Sequence, residues 1–206
     1  MKLAVIGGNS GTGAEVVRQA AADGHEVTCF SRSGSEALPD GVREVRGDAL
    51  DPAQLKEAID GAEAVVVTAG GSKGSPRHRT EVIRSVISAM QQAGVRRLIV
   101  QSSLGAGDSG ALMPTLLRLL AKATLAKPLA DHNDQEALVF ASGLDWTVVR
   151  PGGLTDKPAT GHVIAQETKE GRAMKGMIPR ADVAATILEL LGDPGSHGKA
   201  LGLGTS

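Results

Sequence analysis

Four glycines, Gly7, Gly8, Gly11 and Gly13, fall within seven positions, directly after the apolar run KLAVI and directly before the helix-like stretch AEVVRQA. Glycine loses more backbone entropy on folding than any other residue, so so dense a cluster implies left-handed turns or a ligand close to the backbone. Two registers fit a phosphate-binding turn: Gly8-x-x-Gly11-x-x-Ala14 and Gly7-x-x-x-Gly11-x-Gly13, with Gly11 common to both. In either, Gly8, Asn9, Ser10, Gly11, Thr12 and Gly13 form the loop whose N–H groups would face a pyrophosphate at the positive end of a helix. A tight turn holding no ligand is the alternative. No Lys-Ser/Thr pair follows the glycines, which argues against an ATP-type P-loop.

Other polar residues extend this pattern. The second strand-like run ends in TCFSRSGS, with Arg32 and Ser33 where an NAD site would carry an acid for the ribose 2′-hydroxyl. No carboxylate occurs there before Glu36. A guanidinium beside hydroxyls suits a 2′-phosphate, so the expected cofactor is NADP(H). Asp48, and Ala69, Gly70 and Gly71, end the next two strand-like runs and should line the adenine side. Ser102 and Ser103 end the fifth run, at the sheet edge where ligands of such folds bind. Ser103 is a candidate catalytic residue through a hydrogen bond to the nicotinamide carboxamide or the substrate. His132 is the second, as a proton donor or a ligand of a cofactor oxygen; a solvent-facing helix histidine is its alternative. Pro151, Gly152 and Gly153 would let the chain pass beside the nicotinamide. Lys73, Arg77, His78 and Arg79 form a basic cluster that could attract an anionic substrate or a phosphate.

The elements that must hold these residues alternate. Strands are expected at 2–7, 26–30, 42–46, 63–69, 97–102 and 145–150, with a closing strand near 199–203. Helices are expected at 12–23, 52–59, 77–93, 114–126, 129–142 and 181–191. Several strands are nearly continuous Val, Ile and Leu, as parallel strands covered on both faces require. The order predicts an α/β Rossmann fold, a doubly wound parallel sheet flanked by helices, as one domain over 1–206. Substrate loops are expected at 70–76, 104–127 and 151–176. Within them, 112–127 is apolar with cations and suits a lid or a protein contact better than a membrane-surface helix.

The totals narrow the partners. The chain has 206 residues, 41% hydrophobic and 22% charged, with a formal net charge of −1, so nothing points to nucleic acid. A single cysteine, Cys29, excludes an intrachain disulfide, and His25, His162 and His197 lack metal-ligand spacing. Met1 runs directly into KLAVIG and no apolar run approaches a spanning helix. A cytoplasmic protein without a metal or a membrane span is expected.

The segments GGNSGTGA, RGDALD, VVVTAGG, IVQSSLGAG and SGLDWTVVRPGGLTDKPATG occur in that order. Together they resemble the atypical short-chain dehydrogenase/reductase superfamily, and within it the group holding NmrA-like proteins and flavin (biliverdin-IXβ) reductases. The resemblance implies a Rossmann fold that binds NADPH and passes hydride to a flavin, a quinone or a linear tetrapyrrole. The alternative it implies is a relative that only senses the dinucleotide, as some NmrA-like proteins do. Ser103 matches the active-site serine of the resembling reductases. The chain has no tyrosine, so the Tyr-x-x-x-Lys pair of typical short-chain dehydrogenases is absent. Gly153 stands where the flavin reductases have a histidine, and His132 is the nearest match by spacing to their helix lysine.

Overall fold

The computed structural model describes residues 1–206 apart from 36, 72–74, 172, 175 and 206, and apart from the side chains of 122 and 170. Lys73 of the basic cluster and Glu36 therefore lie outside the described residues.

Each strand-like run becomes a strand: β1 (Lys2–Ile6), β2 (Glu26–Ser31), β3 (Arg43–Arg46), β4 (Ala64–Val67), β5 (Arg97–Gln101) and β6 (Asp145–Pro151). Three short strands follow, β7 (Gly153–Thr155), β8 (Ile164–Glu167) and β9 (Met177–Pro179), and then β10 (Lys199–Gly204). The helices are α1 (Gly11–Ala22), α2 (Pro52–Ile59), α3 (His78–Ala93), α4 (Thr115–Thr124), α5 (Ala126–Phe140) and α6 (Arg180–Leu191). Among the described residues, eight strands form one sheet in the order β3-β2-β1-β4-β5-β6-β10-β8. All of its pairings are parallel except that of β8, which runs antiparallel to β10. Strand order reverses at β1, between β2 and β4, and a crevice opens beyond the carboxyl ends of the strands at such a point.

Successive residues of a strand point to opposite faces, so a strand covered on both sides must be apolar throughout. In β1, Ala4 and Ile6 pack toward α2, α3 and α5, while Leu3 and Val5 pack toward α1 and α6. Burying Leu3, Val5 or Ile6 contributes roughly 1.5–3 kcal/mol each. Asp51 caps α2 by accepting the Ala53 N–H at 2.9 Å, with Pro52 at the first helical position.

The region 151–176, read from sequence as a loop, holds β7 and β8. β7 pairs with β9 in a separate two-stranded sheet. β8, IAQE, is an edge strand with only part of its surface to bury, so it lacks the apolar run that marks its neighbours. α5 begins at Ala126 rather than 129, with Pro128 in its first turn, where a missing N–H costs no helical hydrogen bond.

Candidate active site

Two adjoining recesses lie along the carboxyl ends of the central strands and share Thr68, Ala69 and Gly70. The first, about 320 Å³, brings together Asn9, Ser10, Arg32, Ser33, Asp48, Ala69, Gly70 and Gly71, all anticipated from the sequence. Ile6, Phe30, Ala49 and Val82 add apolar wall, and Gly7, Ser31, Gly47, Thr68 and His78 complete it. Asn9 ties the first turn to the second: its Nδ2 donates to Ser33 Oγ and to Gly34 O, both at 3.0 Å. Arg32 is exposed and makes no hydrogen bond or ion pair among the described residues.

The glycines divide into two jobs. A Cβ on Gly13 would run into the Gly7 carbonyl and stand 2.5 Å from Thr68 Oγ1, so this glycine lets α1 close onto the end of β1. A Cβ on Gly8 would stand 2.8 Å from Cys29 Sγ and 2.9 Å from Val17 Cγ2. Gly8 and Gly13 are thus packing glycines outside the recess wall. Gly11 has φ +56°, and the nearest atom to its Cβ position is Arg180 Nε at 3.4 Å. It opens α1 with free space in front of the helix N-terminus. Thr12 is buried, and its hydroxyl has no partner among the described residues. An orphaned hydroxyl in the first turn, a glycine-cleared helix start and the nearby Arg180 guanidinium fit the pyrophosphate of a dinucleotide.

The second recess, about 160 Å³, brings together Ser102, Ser103, His132, Pro151 and Gly152, with Arg79, Gln101 and Leu154. Gly153 does not join them. It lies on β7 opposite Met177, and a Cβ there would collide with the Met177 sulfur. The chain turns at Gly152 into β7, which aims the next residue away and brings Leu154 back to the recess wall.

His132 is not a solvent-facing helix residue: it is 8% exposed, and its Nδ1 lies 3.3 Å from Ser102 Oγ. Burial, then the Arg79 cation, lower its pKa to about 4 against the opposing pull of Asp131 and Gln135. The imidazole is therefore neutral at neutral pH and carries no acidic proton to give. Asp131 accepts from Thr80 Oγ1 (2.7 Å), Thr80 N (3.0 Å) and Arg79 N (3.1 Å). Burial alone would raise its pKa; the Thr80 hydrogen bonds, with those from Arg79, outweigh that and hold it below the ordinary carboxylate value. Since those donors occupy the carboxylate, the Arg79 guanidinium touches it only at 3.4 Å. The rest of the basic cluster is divided: His78 lines the first recess, and Arg77 pairs with Asp134 at 2.6 Å on the surface.

The loop after Ser103 is held from below. Buried Arg150 donates from Nε and Nη2 to Glu136 at 3.0 and 2.8 Å, and from Nη1 to Asp108 at 2.7 Å. Gly107 N donates to Asn133 Oδ1 at 2.7 Å. β6, α5 and the loop are thereby joined, and Ser103 sits on a fixed support. Cys29 takes no part: burial and Glu44 push its thiol up to about 11, and it packs in the core. Among the described residues no group of His, Cys, Asp or Glu could hold a metal ion, and no helix is long and apolar enough to cross a membrane.

Known proteins share this architecture and, in part, this sequence. The chain is 31% identical over 161 residues to the Bacillus subtilis (strain 168) protein named as the uncharacterized sugar epimerase YhfK, covering 74% of this chain and 67% of that one. The structure of ChuY, described as an anaerobillin reductase from Escherichia coli O157:H7, superposes with a TM-score of 0.83 at 28% identity, over 100% of this chain and 97% of that one. A short-chain dehydrogenase/reductase from Veillonella parvula DSM 2008, solved in complex with NADP, shares the fold with a TM-score of 0.83 at 20% identity, over 98% of this chain and 94% of that one. The family model described as NAD(P)H-binding matches residues 7–194, a span that runs from the glycine turn past α6 and takes in both recesses. The chain belongs to the NAD(P)H-binding family, on an oxidoreductase-like Rossmann fold.

Proposed function

We propose that the chain is an NADPH-dependent reductase that delivers hydride to a small planar acceptor, such as a flavin, a quinone or a linear tetrapyrrole. One observation carries the reading: the recess lined by Asn9, Ser10, Arg32 and Asp48 adjoins, at Thr68–Gly70, a second recess lined by hydroxyls, a neutral imidazole and a cation. The likeness to ChuY, itself described as an anaerobillin reductase, supports an acceptor of this class. Bound NADPH supplies the hydride, and the protein's task is to bind and orient.

Asn9, Ser10, Arg180 and the first turn of α1, with the Thr12 hydroxyl, would hold the pyrophosphate. Arg32 with Ser31 and Ser33 would hold the 2′-phosphate, and Asp48 with Phe30 and Val82 would flank the adenosine. Ser103, half-buried and spending its hydroxyl only on a 3.3 Å bond to its neighbour's carbonyl, can reorient toward the carboxamide or the acceptor. Pro151, Gly152 and Leu154 close the far wall. The acceptor gains two electrons with the hydride, and a reduced flavin or quinone can take its proton from water. The Arg79 cation faces the negative charge that arrives with the hydride.

NADPH should bind at least about tenfold more tightly than NADH, a difference of about 1.4 kcal/mol. Arg32→Ala should abolish the preference. Titration of both cofactors into both chains checks this; equal affinities in the wild type would remove Arg32 from the role. In steady-state reduction by NADPH between about pH 5 and pH 9, His132→Ala should cost only a few-fold in turnover, well under the 10²–10⁴-fold that marks a general acid. Ser103→Ala should cost more than His132→Ala, through an orienting hydrogen bond worth on the order of 1 kcal/mol. A hundredfold loss in His132→Ala, with a limb of the pH profile gone, would make His132 the acid and overturn the positioning account.

A further inference from the structure

A further cavity, about 430 Å³, opens between α5, β6 and β10, and none of the residues lining it lines either recess. The chain has one tryptophan, two phenylalanines and no tyrosine, and the tryptophan and one phenylalanine meet here. The Trp146 and Phe140 rings lie 4.7 Å apart between centroids, their planes tilted by 39°. Phe140 is 43% exposed, so part of this ring surface stands in water rather than in the core. Four ionised groups share the lining, Asp108, Arg150, Glu167 and Lys169. Lys169 pairs with Glu167 at 3.2 Å. Arg150 is matched by the buried Glu136, whose carboxylate takes its Nε and Nη2 at 3.0 and 2.8 Å. Asp108 accepts from Nη1 at 2.7 Å, but the single charge of that guanidinium is already met. Among these residues three carboxylates face two cations, so the cavity carries a negative surplus. The Asp108 side chain is 69% exposed and within reach of a ligand. Burial alone would raise its pKa; the hydrogen bonds from Arg150 and Thr168 outweigh that and hold it below the ordinary carboxylate value, so the surplus persists at neutral pH.

We propose that this cavity binds a small organic cation, an arylalkylammonium, held by the Asp108 carboxylate and by the Trp146 and Phe140 rings. The faces of aromatic rings attract a cation, tryptophan most strongly. The carboxylate adds the countercharge and accepts the ammonium N–H groups. The ligand's own ring can pack on the exposed part of the aromatic pair, which prefers offset or tilted neighbours. The charge count decides among occupants. An anion would add to a negative surplus. A neutral apolar molecule would strip water from ionised groups and give nothing back. A metal ion would lack ligands, since among the described residues no group of three or more His, Cys, Asp or Glu could hold one. This inference does not depend on the reaction proposed above, because the cavity and the two recesses share no lining residue.

The experiment is an NMR titration of the isotope-labelled full chain with phenethylammonium, phenethyl alcohol and phenylacetate, which share one ring and differ in charge. Because Trp146 is the single tryptophan, the one indole N–H signal reports on this cavity. Phenethylammonium should shift it saturably, with a Kd at least about tenfold below that of the alcohol. Phenylacetate should leave it unmoved. Asp108→Asn cancels the surplus and should weaken phenethylammonium by at least about tenfold. Lys169→Gln enlarges the surplus and should tighten it by about twofold or more. The Lys169 side chain is 75% exposed, so this second variant should keep native circular dichroism and decides the matter even where Asp108→Asn does not fold. An indole signal that phenethylammonium leaves unmoved, or equal affinities for the ammonium and the alcohol, would overturn the proposal. So would a Lys169→Gln chain that binds no more tightly than the wild type. Saturable binding of phenylacetate would assign the cavity to anions and overturn it as well.

Discussion

Gly11→Val should yield a folded chain that no longer holds NADPH. Gly11 sits at φ +56°, a left-handed conformation that costs a residue with a side chain roughly 1–2 kcal/mol, and a β-branched one more. That is a fraction of the 5–15 kcal/mol typical of a domain, and the nearest atom to the new Cβ belongs to the flexible Arg180 side chain at 3.4 Å. The fold should therefore survive. The space before the α1 N-terminus should not: the branch occupies it, and relief of the strain would re-aim the first-turn N–H groups. NADPH affinity should fall by at least about a hundredfold, about 2.7 kcal/mol. Gly13→Ala makes the contrast. Its Cβ meets backbone, the Gly7 carbonyl, and α1 must lift from the sheet, so stability and binding should fall together. Fluorescence titration with NADPH, beside circular dichroism and thermal melts, separates the two variants. Undiminished binding in a natively folded Gly11→Val chain would mean that the glycine turn is not the phosphate site.

Arg79→Gln should lower turnover by about a hundredfold while NADPH affinity changes by less than about threefold. The guanidinium lines the second recess, and its pairing with Asp131 is loose at 3.4 Å because Thr80 and the Arg79 N–H take that carboxylate first. Its charge reaches the adjacent imidazole, where it helps to hold His132 neutral. In a recess whose described lining holds no acid, this cation would be the group that stabilises negative charge on the proposed acceptor, and a charge acts more strongly there than in water. Arg79→Lys should recover part of the rate. Steady-state turnover and equilibrium binding of the three chains test this; turnover of Arg79→Gln within twofold of the wild type would leave the cation without the role.

What the sequence disclosed follows from where its signals are local. The parallel strands announce themselves because a strand covered on both faces must be apolar at every position, as AVIG and AVVV are. The glycine turn announces itself through residues adjacent in the chain, yet the division of labour within it did not. Gly7 lines the recess and Gly13 is required by a carbonyl six positions back and the Thr68 hydroxyl just past β4, neither of which spacing reveals. α5 misled most. In ADHNDQEALV the sequence singles out only His132, with a solvent-facing histidine as its alternative, whereas Asp131, His132, Gln135 and Glu136 are all buried. Their partners are Thr80, Ser102, the Gln101 carbonyl and Arg150, remote in sequence. Buried polar groups satisfied across such distances leave no periodic trace. Arg79 is singled out within the basic cluster, whereas Arg180 comes to the site only through the packing of α6. Among the described residues the short strands β7 and β9 pair only with each other, too briefly for alternation to show.

The most direct test of the account is loss of NADPH absorbance in the presence of purified chain and a panel of flavins, quinones and linear tetrapyrroles. The account predicts saturable, enzyme-dependent consumption of NADPH with at least one acceptor, and stoichiometric appearance of the reduced acceptor. A chain that binds NADPH tightly and consumes none with any of them would contradict it, and would mark the protein as a sensor of the dinucleotide rather than a reductase.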